Sequence, residues 1–489
     1  MWLVITGIST EVILAAKELY PTFNSTIEDE KDGLKRGLGP LEAITIIVGG
    51  VIGAGIFQAP SVIASNVNSP GMSLLVWLVC GLLALCGGLC IAELGAMLPH
   101  TGGQYVYIRE AYRKRWLTFI YGWSAFWIVW PVSIAAVANV FASYLASVVN
   151  IMTVDQFGSN VTINGGGRVI IASVCILLLT GINVIGVRWS GRVTNLFTFI
   201  KIAALGSLIL LGFIMAGKGS LALANYTTFW ADSGTTGGGF VLGAFGAAMV
   251  TGLFSYEGWT FSSYVSGEIR NPRRNIPLSI IVGMSFVILI YMAANFVYLL
   301  ILPFEQVQTS PWIAADVMKV LLGDWGALFI SVGVMCSTFG GVNVHILVAP
   351  RLFYALSKDG LFFEGLSKVH SKYGTPAVSI ISQGLLAALI AVTPSYEGII
   401  AYGSFTTNAF AILAIGSVIV LRYTQPNLER PYRVWGYPIT PLIFLVVITI
   451  YLASLLNNIN YIYNTLIGLA IVAAGFPFYF YWENKNKGH

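Results

Sequence analysis

Apolar residues run along this chain in twelve stretches of roughly 20, each long enough as a helix to cross about 30 Å of hydrocarbon. They cover 41–63, 72–97, 117–149, 168–187, 194–216, 241–265, 277–301, 326–347, 377–394, 399–421, 440–456 and 462–481, with short polar segments between them. The pattern predicts an all-α polytopic membrane protein with 12 transmembrane helices. Two runs are interrupted internally. The first contains VGGVIGAGIFQAP, Val48 to Pro60, with Gly49, Gly50, Gly53 and Gly55 where a stable helix favours Ala or Leu. The sixth contains FSYEGWTFSS, Phe254 to Ser263, with a charge and a glycine at membrane depth.

Gly49 and Gly53 form a G-x-x-x-G pair, which on its own predicts close helix packing. The second interruption, five spans later, changes that reading. An odd offset reverses orientation in the membrane, so spans one to five (41–216) and six to ten (241–421) fit two inverted repeats, with spans eleven and twelve (440–481) added. Residues 1–40 and 482–489 are then tails. Paired broken helices in inverted repeats mark a transporter's binding site near the midplane. A broken helix leaves free N–H groups at its restart, which hold a carboxylate, and free C=O groups at its stop, which hold an ammonium. A zwitterionic amino acid offers one group to each set. Gly53 and Gly55 would let the main chain unwind and approach such a ligand.

Composition agrees with the pattern and narrows the class. Of 489 residues, 56% are hydrophobic and only 10% charged, and the mean hydropathy is +0.79, far from the quarter charged of soluble domains. Of the 26 Lys and Arg, only Arg168, Lys218 and Lys319 fall in one set of alternate loops, and Lys201 lies inside a span. The rest, from Lys17 through Arg109, Arg188, Arg270, Arg351 and Arg422 to Lys487, fall in the other set. Positive short loops remain cytoplasmic, so both termini are expected there, in a multi-pass protein of the plasma membrane. The net charge of +5 reflects this anchoring. No basic, aromatic-interleaved soluble domain exists to bind nucleic acid.

Cys80, Cys86, Cys90, Cys175 and Cys336 all fall within expected spans, which predicts no disulfides and no metal site. Residues 1–16 are apolar but short and contain Glu11, which fits an interfacial helix better than a signal peptide or a span. Residues 21–38 read as a polar, mobile tail. Asn160-Val161-Thr162 and Asn225-Tyr226-Thr227 are glycosylation sequons on expected outside loops.

GVIGAGIF and FSYEGW, with AELGAMLPHTGGQYVYIREAY (Ala92 to Tyr112), EIRNPRRNIPLSI (Glu268 to Ile280) and LERPYRVWGYPITP (Leu428 to Pro441), resemble the amino acid, polyamine and organocation transporter superfamily. The resemblance is greatest to its L-type amino acid transporter family and runs from about residue 38 to 480. It implies the leucine-transporter-like fold of five plus five inverted helices with helices 1 and 6 broken, amino acid substrates and alternating access. Carried over by residue, Ile52, Gly53, Ala54 and Gly55 match the carboxylate site. Phe254, Ser255 and Tyr256 match the segment whose carbonyls receive the amino group, and Phe254 matches the aromatic that closes over substrate. Glu257, followed by Gly258, stands where the family carries Asp, Gly or Ser, and Thr260 where many members have Asn. The loop from Val149 to Gly167 lacks the Cys that eukaryotic members use to bond a heavy chain, so no disulfide-linked heavy chain is expected.

Lys201, in TFIKIAAL, lies within the fifth span, where a lysine costs about 2.5 to 3.5 kcal/mol. It either serves function or snorkels to water. The resemblance implies an ammonium that substitutes for a sodium ion beside the first helix's break, and hence sodium-independent transport. Three roles are open to Glu257: a brace hydrogen-bonded to neighbouring backbone, recognition of a cationic side chain, or proton acceptance, in that order of preference. Glu93 and Arg109 read as solvated charges at helix ends ahead of members of an inner gate, and His345 as a packed core histidine ahead of a proton relay.

No H-E-x-x-H, G-x-S-x-G or G-x-x-x-x-G-K occurs, so an enzyme is not expected and no cofactor is implied. Two broken helices favour a site with changing access over a continuous pore. The expectation is a sodium-independent exchanger of neutral L-amino acids. A proton-coupled symporter, a cationic amino acid or polyamine carrier, and a non-transporting nutrient sensor are the alternatives.

Overall fold

The computed structural model describes residues 36–157, 163–216, 224–227, 229–230, 242–392, 396–456 and 459–487. The interfacial helix expected over residues 1–16, the tail to residue 35 and the Asn160 sequon lie outside the described residues. Span one is two helices, α1 (Pro40–Val51) and α2 (Gly55–Val67). Span two is α3 (Pro70–Met97), followed by a short helix α4 (Gln104–Tyr112). Span three joins α5 (Arg115–Ser124), a π-helical turn (Ala125–Val129) and α6 (Trp130–Phe157). Spans four and five are α7 (Gly165–Ile185) and α8 (Val187–Ala216). Span six stops at the end of α9 (Leu242–Ser255) and resumes as α10 (Phe261–Tyr264). The remaining spans are α11 (Pro272–Ile301), α12 (Ile313–Lys358), α13 (Ala377–Ile390), α14 (Tyr396–Thr424), α15 (Ile439–Leu456) and α16 (Ile459–Lys487).

Ten of these segments are long and apolar enough to cross a membrane, and Gly243–Ser255 and Ala377–Ile390 are shorter apolar helices. Each of the twelve apolar runs thus carries a helix, and the chain is an all-α polytopic membrane protein. Local chemistry sets the helix starts. Pro40, Pro70 and Pro272 stand in first turns, where a missing N–H costs nothing. Glu42 accepts the Gly39 N–H at 2.9 Å, and Asn164 caps α7 through the Gly167 N–H at 2.8 Å. The helix of span eight is far longer than the run 326–347. Its 46 residues would extend about 69 Å if straight, and they do not, because Gly323 (φ 69°, ψ −159°) breaks them in a conformation that glycine adopts most readily.

Four expectations are corrected by packing. Residues 36–38 are not a free tail: the N–H groups of Gly37 and Leu38 donate to Glu268 O, and Leu38 O accepts from Arg270. Asn225 is not an accessible sequon. It is buried, its Nδ2 donates to Leu299 O and Leu302 O at 2.8 and 2.9 Å, and its Oδ1 accepts from the Phe304 N–H. Glu93 is not a solvated charge. It is 1% exposed, and its carboxylate accepts from Arg422 (2.9 and 2.6 Å) and from the Val434 N–H at 2.7 Å. Arg109 is partly buried and paired with Asp359 and Glu110.

The segment Leu428 to Pro441 folds around the Glu93 pair. Arg430 donates to the carbonyls of Leu421, Gln425, Pro426 and Leu428, closing the end of α14. The Arg422 guanidinium lies 3.7 Å over the Tyr437 ring. Removing one member of such a buried pair leaves the other charge uncompensated. Glu93→Ala is therefore expected to destabilise the protein by about 3 kcal/mol, seen as a lower melting temperature in detergent. Asp324→Asn, which removes the exposed Lys319 pair, should leave it unchanged.

Candidate functional site

The interruption of span one follows from what its backbone groups bond. In an uninterrupted helix the Gly53 N–H would serve Gly49 O. Here it donates to Val51 O at 2.8 Å, and Ile52 sits at ψ 83°, outside the helical region. The end of α1 is then left with unpaired carbonyls, which the side chain of Lys201 takes up. Its Nζ donates to Gly49 O at 2.9 Å and to Ile52 O at 2.5 Å, and the residue is 0% exposed. Ser337 approaches the same Ile52 O at 3.4 Å. The ammonium thus lies at the negative end of α1, where a cation is most favoured. At the restart, α2 begins from Ala54 with no side-chain cap, and Gly55 and Ile56 are buried. First-turn N–H groups have no partner within their own helix, so this side of the break presents donors that no cap occupies.

The second interruption faces the first. Gly258 holds φ +119° between α9 and α10, and a Cβ there would lie 3.0 Å from the Val51 N. A Cβ on Gly55 would lie 2.5 Å from Ser255 Cβ and 2.6 Å from its Cα, and one on Gly50 would enter the Phe261 ring. Gly55 is thus required by the close approach of the two broken helices. Gly53 differs: the nearest atom to a Cβ there is Gly50 O at 3.8 Å. Tyr291, on α11, joins the two breaks through a hydroxyl 2.8 Å from Val51 O and 3.3 Å from Ser255 O. Its ring packs with Trp77 and Tyr256.

A cavity of about 70 Å³ borders the second break. Of the sequence-predicted residues, Phe254 and Glu257 line it, while Ile52 to Gly55, Ser255, Tyr256, Gly258 and Lys201 lie outside its wall. The cavity is completed by residues the sequence reading did not single out, among them Trp130 and Ser133 on span three, Trp259 on span six, and Ser404 and Asn408 on span ten. The hydroxyls of Tyr121 and Tyr264, 2.8 Å apart, close one side. Among the described residues, no backbone group is seen donating to the Glu257 carboxylate. Its described partner is the Ser133 hydroxyl, 3.1 Å from Oε2, whose one hydrogen is shared with Val129 O at 2.9 Å, and Glu257 lines the cavity. His345 is packed against Phe261 with its Nδ1 2.8 Å from Gly341 O.

Comparison with known proteins places this geometry among transporters. A family model described as amino acid permease matches residues 38–476. The chain is 32% identical over 464 residues to the large neutral amino acids transporter small subunit 2 of Mus musculus, covering 93% of this chain and 83% of that protein. It is 30% identical over 463 residues to the b(0,+)-type amino acid transporter 1 of Homo sapiens (94% and 91%). It is 30% identical over 468 residues to the Asc-type amino acid transporter 1 of Mus musculus (94% and 84%).

The glycine contacts yield a contrast. Gly55→Ala places a methyl against the Ser255 backbone and is expected to lower yield and melting temperature. Gly53→Ala has room and should leave both near wild type, in size-exclusion profiles and thermal melts of the purified protein. Equal losses in the two variants would contradict this account of the break.

Proposed function

The chain belongs to the amino acid permease family, and from that premise we propose that it exchanges neutral L-amino acids by alternating access, without sodium. It is a transporter and not an enzyme. The observation that carries the reading is the asymmetry of the first break. The carbonyl side is already occupied by the Lys201 ammonium, and the N–H side at Gly55 and Ile56 has no side-chain cap. A fixed ammonium in place of a metal ion leaves no need for sodium there, and free donors at a helix start suit a carboxylate. The amino group then goes to the carbonyls at the end of α9, with Phe254 as the aromatic that closes over the ligand. Residues 41–216 and 241–421 serve as the two inverted repeats, and 440–481 as the added pair. Relatives named for large neutral amino acids favour the same substrate class.

A second reading adds cationic side chains to the substrates. It rests on Glu257, which lines the cavity and whose carboxylate has one described partner. A buried carboxylate gains most from an opposite charge within hydrogen-bond reach.

Some relatives are named small subunits, but the five cysteines of this chain lie in apolar helices and are free. Their place within apolar helices favours a carrier without a disulfide-linked heavy chain. Its site is the plasma membrane with both termini cytoplasmic, in keeping with the sided distribution of Lys and Arg.

In proteoliposomes, labelled neutral amino acid should enter only when the interior is preloaded, and replacing sodium should change nothing. Accumulation in empty vesicles driven by a sodium gradient would overturn the proposal. Lys201→Met leaves the α1 carbonyls without a charged donor and is expected to lower exchange more than about tenfold, the equivalent of one charge-assisted hydrogen bond. Glu257→Gln should abolish uptake of lysine or arginine and spare neutral uptake. Loss of both would return Glu257 to a bracing role.

A further inference from the structure

Span three contains a defect whose repair comes from a helix that does not line the cavity. The Trp130 N–H donates to Ala125 O, five residues back, which makes the turn π-helical. In an α-helix that N–H would have served Phe126 O. In the π register the donor to Phe126 O would be the next residue, and that residue is Pro131, which has no N–H. Both helical donors to Phe126 O are thus absent, in a segment where hydrocarbon supplies none. Gln383, on α13, fills the gap: its Nε2 donates to Phe126 O at 3.2 Å. The side chain is 0% exposed, and its Oε1 has no partner among the described residues. A fully buried amide that leaves one of its own atoms unpaired is held by the bond it does make.

The consequence reaches the cavity. A π turn inserts one residue, about 100° of rotation, into everything that follows. Trp130 and Ser133 come directly after it. Trp130 packs on Phe261 at 5.4 Å and on Tyr264 at 5.2 Å, and the Ser133 hydroxyl lies 3.1 Å from Glu257 Oε2, sharing its hydrogen with Val129 O. We infer that Gln383 is a positioning residue for transport: it supplies the hydrogen bond that Pro131 cannot, and so fixes the register in which Trp130 and Ser133 meet the broken sixth helix. The inference rests on the reading of this cavity as the substrate's.

Because the defect lies in a missing backbone donor, it can be repaired at a second position. Gln383→Met keeps the length and removes the donor. It is expected to raise the KM for exchange about two- to tenfold, the worth of one hydrogen bond, by more than it lowers the maximal rate, and to lower the melting temperature. Pro131→Ala supplies a backbone N–H to Phe126 O in the π register. In the Gln383→Met background it should restore both KM and melting temperature, a rescue that loss of side-chain packing alone would not show. A double variant no better than Gln383→Met in either measurement overturns the inference. Failure of wild-type protein to exchange any amino acid overturns the transport reading instead, while the melting-temperature rescue still decides the role of Gln383.

Discussion

Hydrocarbon forms no hydrogen bonds, so wherever a membrane helix is interrupted another part of the chain must complete its backbone. The contact between Lys201 and the end of α1 is the instance on which the first break depends. Without a donor at Gly49 O and Ile52 O, span one would gain by closing into a continuous helix, and the restart at Gly55 would disappear. A lysine side chain can be desolvated here because it meets carbonyls at the negative end of a helix dipole. The charge that is costly to bury and the carbonyls that are costly to orphan offset each other.

The same accommodation recurs in different chemistry. Arg430 closes α14 with four carbonyls, Gln383 serves one carbonyl in span three, and Tyr291 serves the ends of α1 and α9. Arg430 acts within its own stretch of chain, whereas Gln383 and Tyr291 reach their acceptors from other helices and so fix a distance between segments as well as satisfying a group. Glycine sets the remaining distances. Gly55 against Ser255 and Gly258 against Val51 press the two breaks together so closely that neither can move far alone. Alternating access in this chain therefore displaces α1 and α9 as a pair or separates a packed seam.

How far the sequence could be read follows from which signals are local. Apolar length is local, so each run proved to be a helix. The breaks were legible because glycines and a charge stand where none is expected at membrane depth. Partners are not local. Nothing near Glu93 announces Arg422 or the Val434 N–H, more than 300 residues later, and a carboxylate at a helix end reads as solvated until that segment folds over it. Gly55 and Gly53 looked alike in sequence and differ only through Ser255. Pro131 was a signal present and missed: a proline inside an apolar run predicts an orphaned carbonyl, though not that the π turn would make it Phe126 O or that Gln383 would meet it. The cavity wall at Ser404 and Asn408 had no distinguishing pattern, since single polar residues on a membrane helix also satisfy their own backbone, as Asn408 does with Ser404 O.

The balance of donors and acceptors at the paired breaks bears on how a ligand would be held. Tyr291 has one hydroxyl hydrogen and two carbonyls within reach. Val51 O is closer, at 2.8 Å, and already accepts the Gly53 N–H, whereas Ser255 O at 3.3 Å has the weaker share. The sixth-helix side of the seam is therefore short of donors, and the first-helix side at Gly55 and Ile56 has donors without a cap. An ion of either sign alone would satisfy one side and leave the other as it was. A zwitterion whose two charges are separated by a single carbon satisfies both at once, and its backbone groups are the same whatever side chain it carries. On the proposed reading, the common part would be recognised by main chain at the paired breaks, and the variable part would meet the walls at Phe254 and Glu257 on the sixth span and Trp130 on the third.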